Sequence, residues 1–266
     1  MRLFRENRVV NWHEHVWLGP DGGLDRDRLR ELVAIAKATH MDALVCSNPV
    51  MVPDSPPELA RRCNDAVAEA AALHPGFIMG MGFVNPGFHD EAIAEVDRCI
   101  LELGFAGVKL YNQYFISDPA VRGVIRRCAQ LGAPILEHAG KLTHMPQSQP
   151  FLSDGAHFAK AASENPDATF IYAHIGGGGD WEWSLKAIAP HGNVFADTSG
   201  GGCDEGMIER AVELLGAGRL LFGTDMSFEA GVGKLLAADI SWEDKKTILC
   251  NPRFEKYLER GPRHAD

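Results

Sequence analysis

Four histidines and one aspartate are the side chains in this sequence best suited to chemistry, and each ends a strand-like run. The runs are VVNWHEHVW with His13 and His15, PILEHAG with His138, TFIYAHIG with His174, and LLFGTD with Asp225. Side chains alternate between the faces of a strand, so His13 and His15 point the same way while the residue between them points away. Imidazoles and carboxylates bind zinc in catalytic sites. The pattern therefore predicts a catalytic metal centre.

The roles of these side chains follow from their chemistry. We expect four of them to bind one divalent metal ion: His13, His15, His138 and Asp225. Three imidazoles and a carboxylate suit Zn²⁺, with a water completing an open coordination sphere. Mn²⁺ and Fe²⁺ stay open, because ligand type alone discriminates poorly among these ions. His174 is assigned to acid–base work rather than to the ligand set, and Asp225 shares that work.

A second group of residues is predicted to contact the substrate. Lys109 lies in GVKLYNQ between Val108 and Leu110, so its ammonium turns inward if those two face the helices. It would hold a substrate carboxylate, bear a carbamate bridging two metals, or form an ordinary ion pair. Tyr111 and Lys141 are the other predicted substrate contacts. Asn112, His144 and Asp197 are placed at the rim, where a structural role is the simpler interpretation.

The elements that must position these side chains alternate between strand and helix. The strand predictions are residues 9–17, 43–47, 77–84, 107–110, 134–139, 169–175, 194–198 and 220–225. Repeats of about 30 residues fit βα units. An open doubly wound sheet remains an alternative. We favour a (β/α)8 TIM barrel, because the polar strand ends are spread along the whole chain and need one shared mouth.

Helix and loop signals support this organisation. Ser55 is predicted to cap a helix with Pro56 at its first position and Glu58 three residues after the cap. Long loops follow the second, fifth, sixth and seventh strands, and in a barrel such loops form the rim of the active site. We expect one barrel domain over residues 1–258 and a frayed tail over 259–266.

Composition limits the partners of the chain. The 266 residues carry a net charge of −10, which disfavours nucleic acid and anionic membranes as partners. The six cysteines lack C-x-x-C spacing and are expected to be free thiols, mostly buried. The N-terminus shows no apolar signal stretch and no run suits a membrane span, so we expect a cytoplasmic protein. A homodimer is expected only because homodimers are the commonest oligomers among proteins in general.

The segments NWHEHVW, GVKLYNQ, ILEHAG, IYAHIGGG and FGTD, in this order, resemble the amidohydrolase superfamily. The nearest resemblance is to its amidohydrolase-related branch, which includes aminocarboxymuconate semialdehyde decarboxylase. The resemblance implies a distorted barrel with one metal ion, usually zinc, on the four ligands named above and His174 as the catalytic histidine. Asn11 departs from the aspartate that the family often has there, which affects a supporting contact but no ligand. ILCNPRFEKYL is similar to the Asn-containing final helix of the branch.

Hydrolysis of a small carboxylate-bearing ester, lactone or amide-like substrate is the leading functional expectation. A metal-bound water with a pKa near about 7 would attack the carbonyl carbon, and Lys109 or Lys141 would hold an anionic group. The alternative is non-oxidative decarboxylation of a small unsaturated or aromatic acid. It is placed second because the strand-end loops lack an obvious arginine to clamp the departing carboxylate. A non-catalytic metal or ligand-binding barrel is the third hypothesis.

Overall fold

Eight parallel strands form one sheet in the computed structural model, which describes residues 1–140, 149–175 and 178–260. The strands pair in chain order, so each strand neighbours the next. They are β1 (Val10–His15), β2 (Ala43–Ser47), β3 (Ile78–Phe83), β4 (Gly107–Leu110), β5 (Ile135–Glu137), β6 (Phe170–Tyr172), β7 (Val194–Asp197) and β8 (Leu220–Leu221). Each lies within a predicted strand.

The sheet closes on itself through backbone hydrogen bonds between the last and first strand regions. The amide of Trp12 donates to the carbonyl of Phe222 at 2.8 Å, and the amide of Asp225 donates to the carbonyl of His13 at 2.8 Å. An open doubly wound sheet would leave these groups apart. The predicted (β/α)8 barrel is confirmed, and two of the predicted site residues lie directly on its closing seam.

Helices connect the strands and cover the outside of the barrel. Those of the described residues are α1 (Arg2–Glu6), α2 (Arg26–Ala38), α3 (Pro57–Leu73), α4 (His89–Asp97), α5 (Arg122–Gln130), α6 (Gly155–Glu164), α7 (Trp181–Ile188), α8 (Met207–Leu215), α9 (Phe228–Ala237), α10 (Trp242–Leu249) and α11 (Glu255–Leu258). A π-helical turn, Arg98–Glu102, continues α4. Within the described ranges, no helix has the length and apolar character needed to cross a membrane.

Two local predictions about helices are wrong. The third helix begins at Pro57 with Pro56 as its cap, and Ser55 makes no capping hydrogen bond. Its hydroxyl accepts instead from the amide of Asn85 at 3.2 Å. The segment with Asn251 is not one helix, since Asn251 lies between α10 and α11. Its side chain donates to the carbonyls of Gly218 and Leu220, which holds the start of β8 in place.

The apolar core has two layers. The larger lies between strands and helices, and the smaller fills the barrel with side chains such as Val10, Leu136 and Ile171. Phe254, from the turn before α11, packs edge-on against Trp12 at 5.1 Å and Phe195 at 4.7 Å between ring centroids. The interior is therefore a packed core, and the strand ends at the opposite mouth are left for polar groups.

An irregularity in β1 decides which side chains enter the barrel. Val10 and Trp12 both face the interior, so strict alternation would place Glu14 inside and the histidines outside. The pairing of β1 with β2 shifts register between Asn11 and Glu14, which is the pattern of a β-bulge. After the shift His13 faces inward, while Glu14 is buried outside the barrel against Thr224.

A buried ion pair joins the α4 region to α3. The guanidinium of Arg98 donates to both carboxylate oxygens of Glu95, at 2.8 and 2.6 Å, and Asn64 donates to the same carboxylate at 2.8 Å. Burial alone would raise the pKa of Glu95, but the hydrogen bonds from Arg98 and Asn64 outweigh it and hold the pKa below its ordinary value. Asn64 also bonds both backbone groups of Phe83, so the pair anchors β3.

We expect Arg98→Met to lower the free energy of unfolding by about 3 kcal/mol, because it removes the guanidinium that donates to both oxygens of a buried carboxylate. The loss should be largest near neutral pH. Because the folded pKa of Glu95 is lowered, its stabilisation is present above the unfolded pKa and disappears as the pH falls through the folded pKa. Urea unfolding at several pH values measures this. Arg210→Met, on an exposed pair with Glu213, is the control and should cost under about 1 kcal/mol.

The cysteines are all free in the structure. Cys46, Cys63, Cys99 and Cys128 are buried, as expected, whereas Cys203 is exposed and Cys250 is half-buried. Burial raises the pKa of the Cys63 thiol to about 11, so this thiol is protonated and unreactive at neutral pH. The tail prediction for residues 259–266 stays a prediction, since residues 261–266 lie outside the described part of the chain.

Candidate active site

The predicted site residues converge at one mouth of the barrel, with Asp225 at the centre. One carboxylate oxygen of Asp225 lies 2.9 Å from Nε2 of His15 and 3.9 Å from Nε2 of His13. The other oxygen lies 3.4 Å from Nδ1 of His174. His138 joins the group through its Nδ1, which lies 2.7 Å from Nε2 of His174. The structure thus brings together all five residues that the sequence singled out.

The donor set fits a metal ion. His13, His174 and Asp225 each offer one ligand atom, and these atoms lie within 4.8 Å of one another. Two neutral imidazoles and a carboxylate are donors that zinc and manganese both accept. This tightest group contains His174, whereas the sequence-based ligand set has His15 and His138 in its place. The ligand assignment stays a prediction.

Asp197 fixes the orientation of His13. This aspartate ends β7, is fully buried, and has one carboxylate oxygen 2.8 Å from Nδ1 of His13. Its other oxygen accepts from the amides of His174 and Ser199 and from the Ser199 hydroxyl. A carboxylate accepts only, so Nδ1 of His13 carries the proton and Nε2 keeps its lone pair toward the site. Sequence reasoning placed Asp197 at the rim; its strand-end position was the available signal.

A chain of hydrogen bonds sets the tautomers of the other two histidines. Because Ser199 gives its single proton to Asp197, its oxygen accepts from Nδ1 of His174 at 2.9 Å. Nε2 of His174 then accepts from Nδ1 of His138. The far nitrogen, Nε2 of His138, lies 2.9 Å from the side-chain oxygen Oε1 of Gln149. A neutral ring that donates through Nδ1 has a lone pair at Nε2, so the Gln149 side chain must turn its NH₂ group to this nitrogen to donate. Neither Ser199 nor Gln149 was among the predicted site residues.

Lys109 lies beneath the site, facing inward as the sequence pattern predicted. Val108 and Leu110 belong to the outer core layer, and Nζ of the fully buried Lys109 lies 2.8 Å from Nε2 of His13. Burial lowers the pKa of its ammonium to about 8, and the nearby Asp225 and Asp197 limit the shift. The site therefore holds a buried cation beside the lone pair of a predicted ligand.

The remaining candidates are more peripheral. Tyr111 stacks on His138 with ring centroids 4.3 Å apart, and burial raises the pKa of its hydroxyl to about 12. Asn112 is buried at the end of β4. Lys141 and His144 lie outside the described residues, and the role of Lys141 in substrate binding stays a prediction.

Burial keeps His13 and His174 neutral, and their surroundings keep Asp197 and Asp225 ionised. Desolvation lowers the pKa of His13 to about 4 and that of His174 to about 3. Burial alone would raise the pKa values of Asp197 and Asp225, but the histidine contacts hold both well below the ordinary range. A metal ion requires neutral imidazoles and ionised carboxylates as ligands, and these side chains have those protonation states.

The backbone around the site is unusual at two functional residues. His174 has φ 65° and Asp225 has φ 45°, a left-handed conformation that is uncommon outside glycine. Gly223 makes room beside Asp225, since a Cβ atom there would lie 3.1 Å from Cβ of His13 and 3.4 Å from that of Asp197. These features place the strand-end side chains closer together than a regular strand would.

A cavity of about 190 Å³ opens onto this cluster. Its walls combine the polar side chains with small and apolar residues, namely His138, Ala139, Gly140, Gln149, Leu152, His174, Gly200, Gly201 and Asp225. Lys109 does not line it. The cavity suits a small, flat molecule with at least one polar group.

A family model described as amidohydrolase matches residues 10–237. The chain belongs to the amidohydrolase family. A curated relative, 2-amino-3-carboxymuconate-6-semialdehyde decarboxylase of Dictyostelium discoideum, is 24% identical over an alignment of 213 positions, with 65% of this chain and 58% of the relative covered. The chain thus matches less than two thirds of that relative's length.

Solved structures share the fold of this amidohydrolase. One, a 2,6-dihydroxybenzoate decarboxylase complexed with 2,6-dihydroxybenzoate, has a TM-score of 0.74 and 17% identity, covering 95% of this chain and 98% of that one. Another, a dihydroxybenzoic acid decarboxylase from a Polaromonas species with bound manganese and an inhibitor, has a TM-score of 0.72 and 19% identity, covering 95% and 96%. At these sequence identities, the likeness shows only that the proteins share the barrel fold.

The expectation of hydrolysis is wrong. The Dictyostelium relative and both of these solved structures are named as decarboxylases, which supports the alternative. Hydrolysis was preferred because the strand-end loops lack an arginine to clamp a carboxylate. Lys109 places an ammonium 2.8 Å from His13 without any loop arginine. This ammonium does not line the cavity, so it adds positive charge near the site without acting as a clamp.

Proposed function

We propose that this amidohydrolase is a metal-dependent, non-oxidative decarboxylase of a small unsaturated or aromatic carboxylic acid. The observation that carries the proposal is Asp225, an ionised carboxylate that lies within 4 Å of three imidazoles at the mouth of the barrel. The decarboxylase relative supports the reaction type. The size of the cavity favours a substrate with one ring or a short unsaturated chain.

The metal ion would be held by His13, His15, His138 and Asp225, or by the tighter group that includes His174. When bound, a divalent cation polarises substrate oxygens and stabilises the negative charge that develops as the carboxylate leaves. Mn²⁺ is now as reasonable a choice as Zn²⁺, because the Polaromonas decarboxylase contains manganese. His13 suits the ligand role because its bond to Asp197 directs the Nε2 lone pair into the site.

The cavity walls orient the substrate. Gly140, Gly200 and Gly201 lack side chains, so a planar molecule can lie against the backbone, and Leu152 provides an apolar contact. Lys109 lies behind His13, where its positive charge favours an anionic substrate through the field rather than by direct contact. Removal of water from this small site strengthens these electrostatic effects.

The reaction breaks the bond between a substrate carbon and its carboxylate, releases carbon dioxide, and places a proton on that carbon. Among the described residues lining the cavity, His174 and Asp225 are neighbouring titratable groups, 3.4 Å apart. We assign the proton transfer to this pair. His138 bonds to the far nitrogen of His174 and links the pair to Gln149. One proton from solvent must re-enter the pair for each turnover.

The proposal is tested by incubating the Mn²⁺-loaded and Zn²⁺-loaded protein with 2,6-dihydroxybenzoate, 5-carboxyvanillate and 2-amino-3-carboxymuconate semialdehyde. We expect release of carbon dioxide with one equivalent of decarboxylated product, and one deuterium on the product carbon in D₂O. Metal-free protein is the control and should be inactive. Metal binding without turnover of any acid in a wider panel of unsaturated and aromatic acids would contradict the proposal.

Lys109→Met should weaken the preference for anionic substrates. Because the ammonium is buried beside His13, its removal should lower kcat/KM by about tenfold, a typical cost of one charge interaction. Steady-state kinetics on the best substrate measures this effect. Lys186→Met, on the exposed ion pair with Glu182, should leave the kinetics unchanged. Equal rates for Lys109→Met and the parent protein would exclude this role.

A further inference from the structure

A buried lysine lies behind the active-site cavity. Lys234, on α9, is only 8% exposed, and its ammonium donates to the carbonyl of Gly200 at 2.6 Å and to that of Ser199 at 3.3 Å. Within residues 1–140, 149–175 and 178–260, this ammonium forms no ion pair. Burying an ammonium costs free energy. Because this ammonium donates to two backbone carbonyls, we infer that it stabilises the turn to which they belong.

The turn that it holds belongs to the active site. Ser199 accepts from His174 and donates to Asp197, while Gly200 and Gly201 line the cavity. The sequence there is SGGG, and glycines give the chain more conformational freedom than any other residue. Gly200 itself has φ 91°. A segment of this composition has little internal stiffness and needs contacts from outside.

The surroundings of Lys234 show that it reaches the turn from behind. On its other side, Lys234 lines a second cavity of about 300 Å³ between α8 and α9, together with Met207, Ile208 and Ala237. The lysine therefore lies between the two cavities. Its long side chain connects the helix layer to the loop after β7.

We propose that Lys234 is a positioning residue for the proposed decarboxylation. Its ammonium fixes the Ser199–Gly200 turn. The Ser199 hydroxyl then keeps its hydrogen bond with Nδ1 of His174, and the Gly200 backbone keeps its position in the cavity wall. The inference rests on the proposed function for its catalytic consequence. Its structural part, the coupling of Lys234 to His174 through Ser199, stands independently.

Four variants test the coupling: Lys234→Met, Lys234→Arg, Ser199→Ala and the double variant Lys234→Met/Ser199→Ala. For Lys234→Met we expect kcat to fall about tenfold and KM to change less than about twofold, as for loss of an interaction that acts in the transition state. Lys234→Arg, which can still donate to carbonyls, should keep at least about half of kcat. The double variant should lose clearly less than the product of the two single losses, because both variants act in part through the Ser199 hydroxyl.

A second readout does not depend on turnover. In Zn²⁺-loaded full-length protein labelled with ¹⁵N-histidine, the His174 ring signals should shift in Lys234→Met in the same direction as in Ser199→Ala. Lys245→Met is the matched control, because Lys245 also donates to a backbone carbonyl, that of Leu236, but away from the loop after β7. It should change neither kcat nor the His174 signals. If Lys234→Met does not fold, Lys234→Gln replaces it.

Two results would overturn the proposal. One is a lower Tm for Lys234→Met with unchanged kcat and unchanged His174 signals, which is what a merely structural lysine predicts. The other is fully additive losses in the double variant. If the parent protein decarboxylates no acid, the proposed function fails, whereas the histidine signals still decide whether Lys234 positions Ser199.

Discussion

Asp225→Asn is expected to lower kcat/KM for decarboxylation by about 10³-fold, within the range for loss of an acid–base group. The carboxylate contacts His15 at 2.9 Å and His174 at 3.4 Å, so an amide in its place removes a negative charge and one of the two acceptor oxygens that face these rings. The amount of bound metal per protein should fall together with the activity. Steady-state kinetics and metal analysis of the purified variant measure both effects.

Asp204→Asn is the control for this change. Asp204 is an exposed aspartate on the loop after β7 that accepts from the indole of Trp181 at 2.7 Å and does not contact the histidines. Its variant should retain metal and activity. If Asp225→Asn retained both as well, Asp225 would be neither a ligand nor a proton-transfer group, and the proposed site would be wrong.

Asp197→Asn should weaken metal binding by about 10- to 100-fold, the usual cost of removing the partner of a ligating histidine. Three donors converge on one oxygen of Asp197, namely the His174 amide and the Ser199 amide and hydroxyl. The asparagine must keep its carbonyl oxygen there and turn its NH₂ toward Nδ1 of His13. That nitrogen then has to accept, the proton moves to Nε2, and the lone pair that faces the site is lost.

Isothermal titration of metal-free protein with Mn²⁺ and Zn²⁺ measures this effect. The control is Asp42→Asn, since Asp42 accepts from the amide of Val9 at 2.8 Å at the opposite end of the barrel. It should bind metal as the parent does. Unchanged affinity in Asp197→Asn would mean that His13 is not a ligand, or that its tautomer is set elsewhere.

The sequence predicted the barrel because strand periodicity and polar strand ends recur along the whole chain. Strand alternation correctly predicted that Lys109 faces inward between Val108 and Leu110. The inward direction of Lys109 depends only on β4 being a regular strand. Regular strands have one geometry, so a pattern of residue types is enough to orient their side chains.

Irregular backbone limited how much of the remaining site could be predicted from the sequence. The bulge in β1 inverts alternation between Trp12 and His13, and the inward direction of His13 depends on that bulge. Asp225 lies in a left-handed turn after a two-residue strand, although its segment was predicted to be extended. The partners Ser199 and Gln149 lie in loops after β7 and β5, where no periodicity applies. Their roles depend on tertiary contacts that one sequence does not encode locally.

The closing seam of the barrel has a consequence for biosynthesis. Because His13 lies on the first strand and the amide of Asp225 bonds to its carbonyl, the first strand and the segment after the eighth strand must meet before the cluster exists. A nascent chain on the ribosome therefore carries its histidines unassembled until the eighth strand has been made. No amino-terminal fragment that ends before the eighth strand would contain a complete centre, so activity arises in one late step.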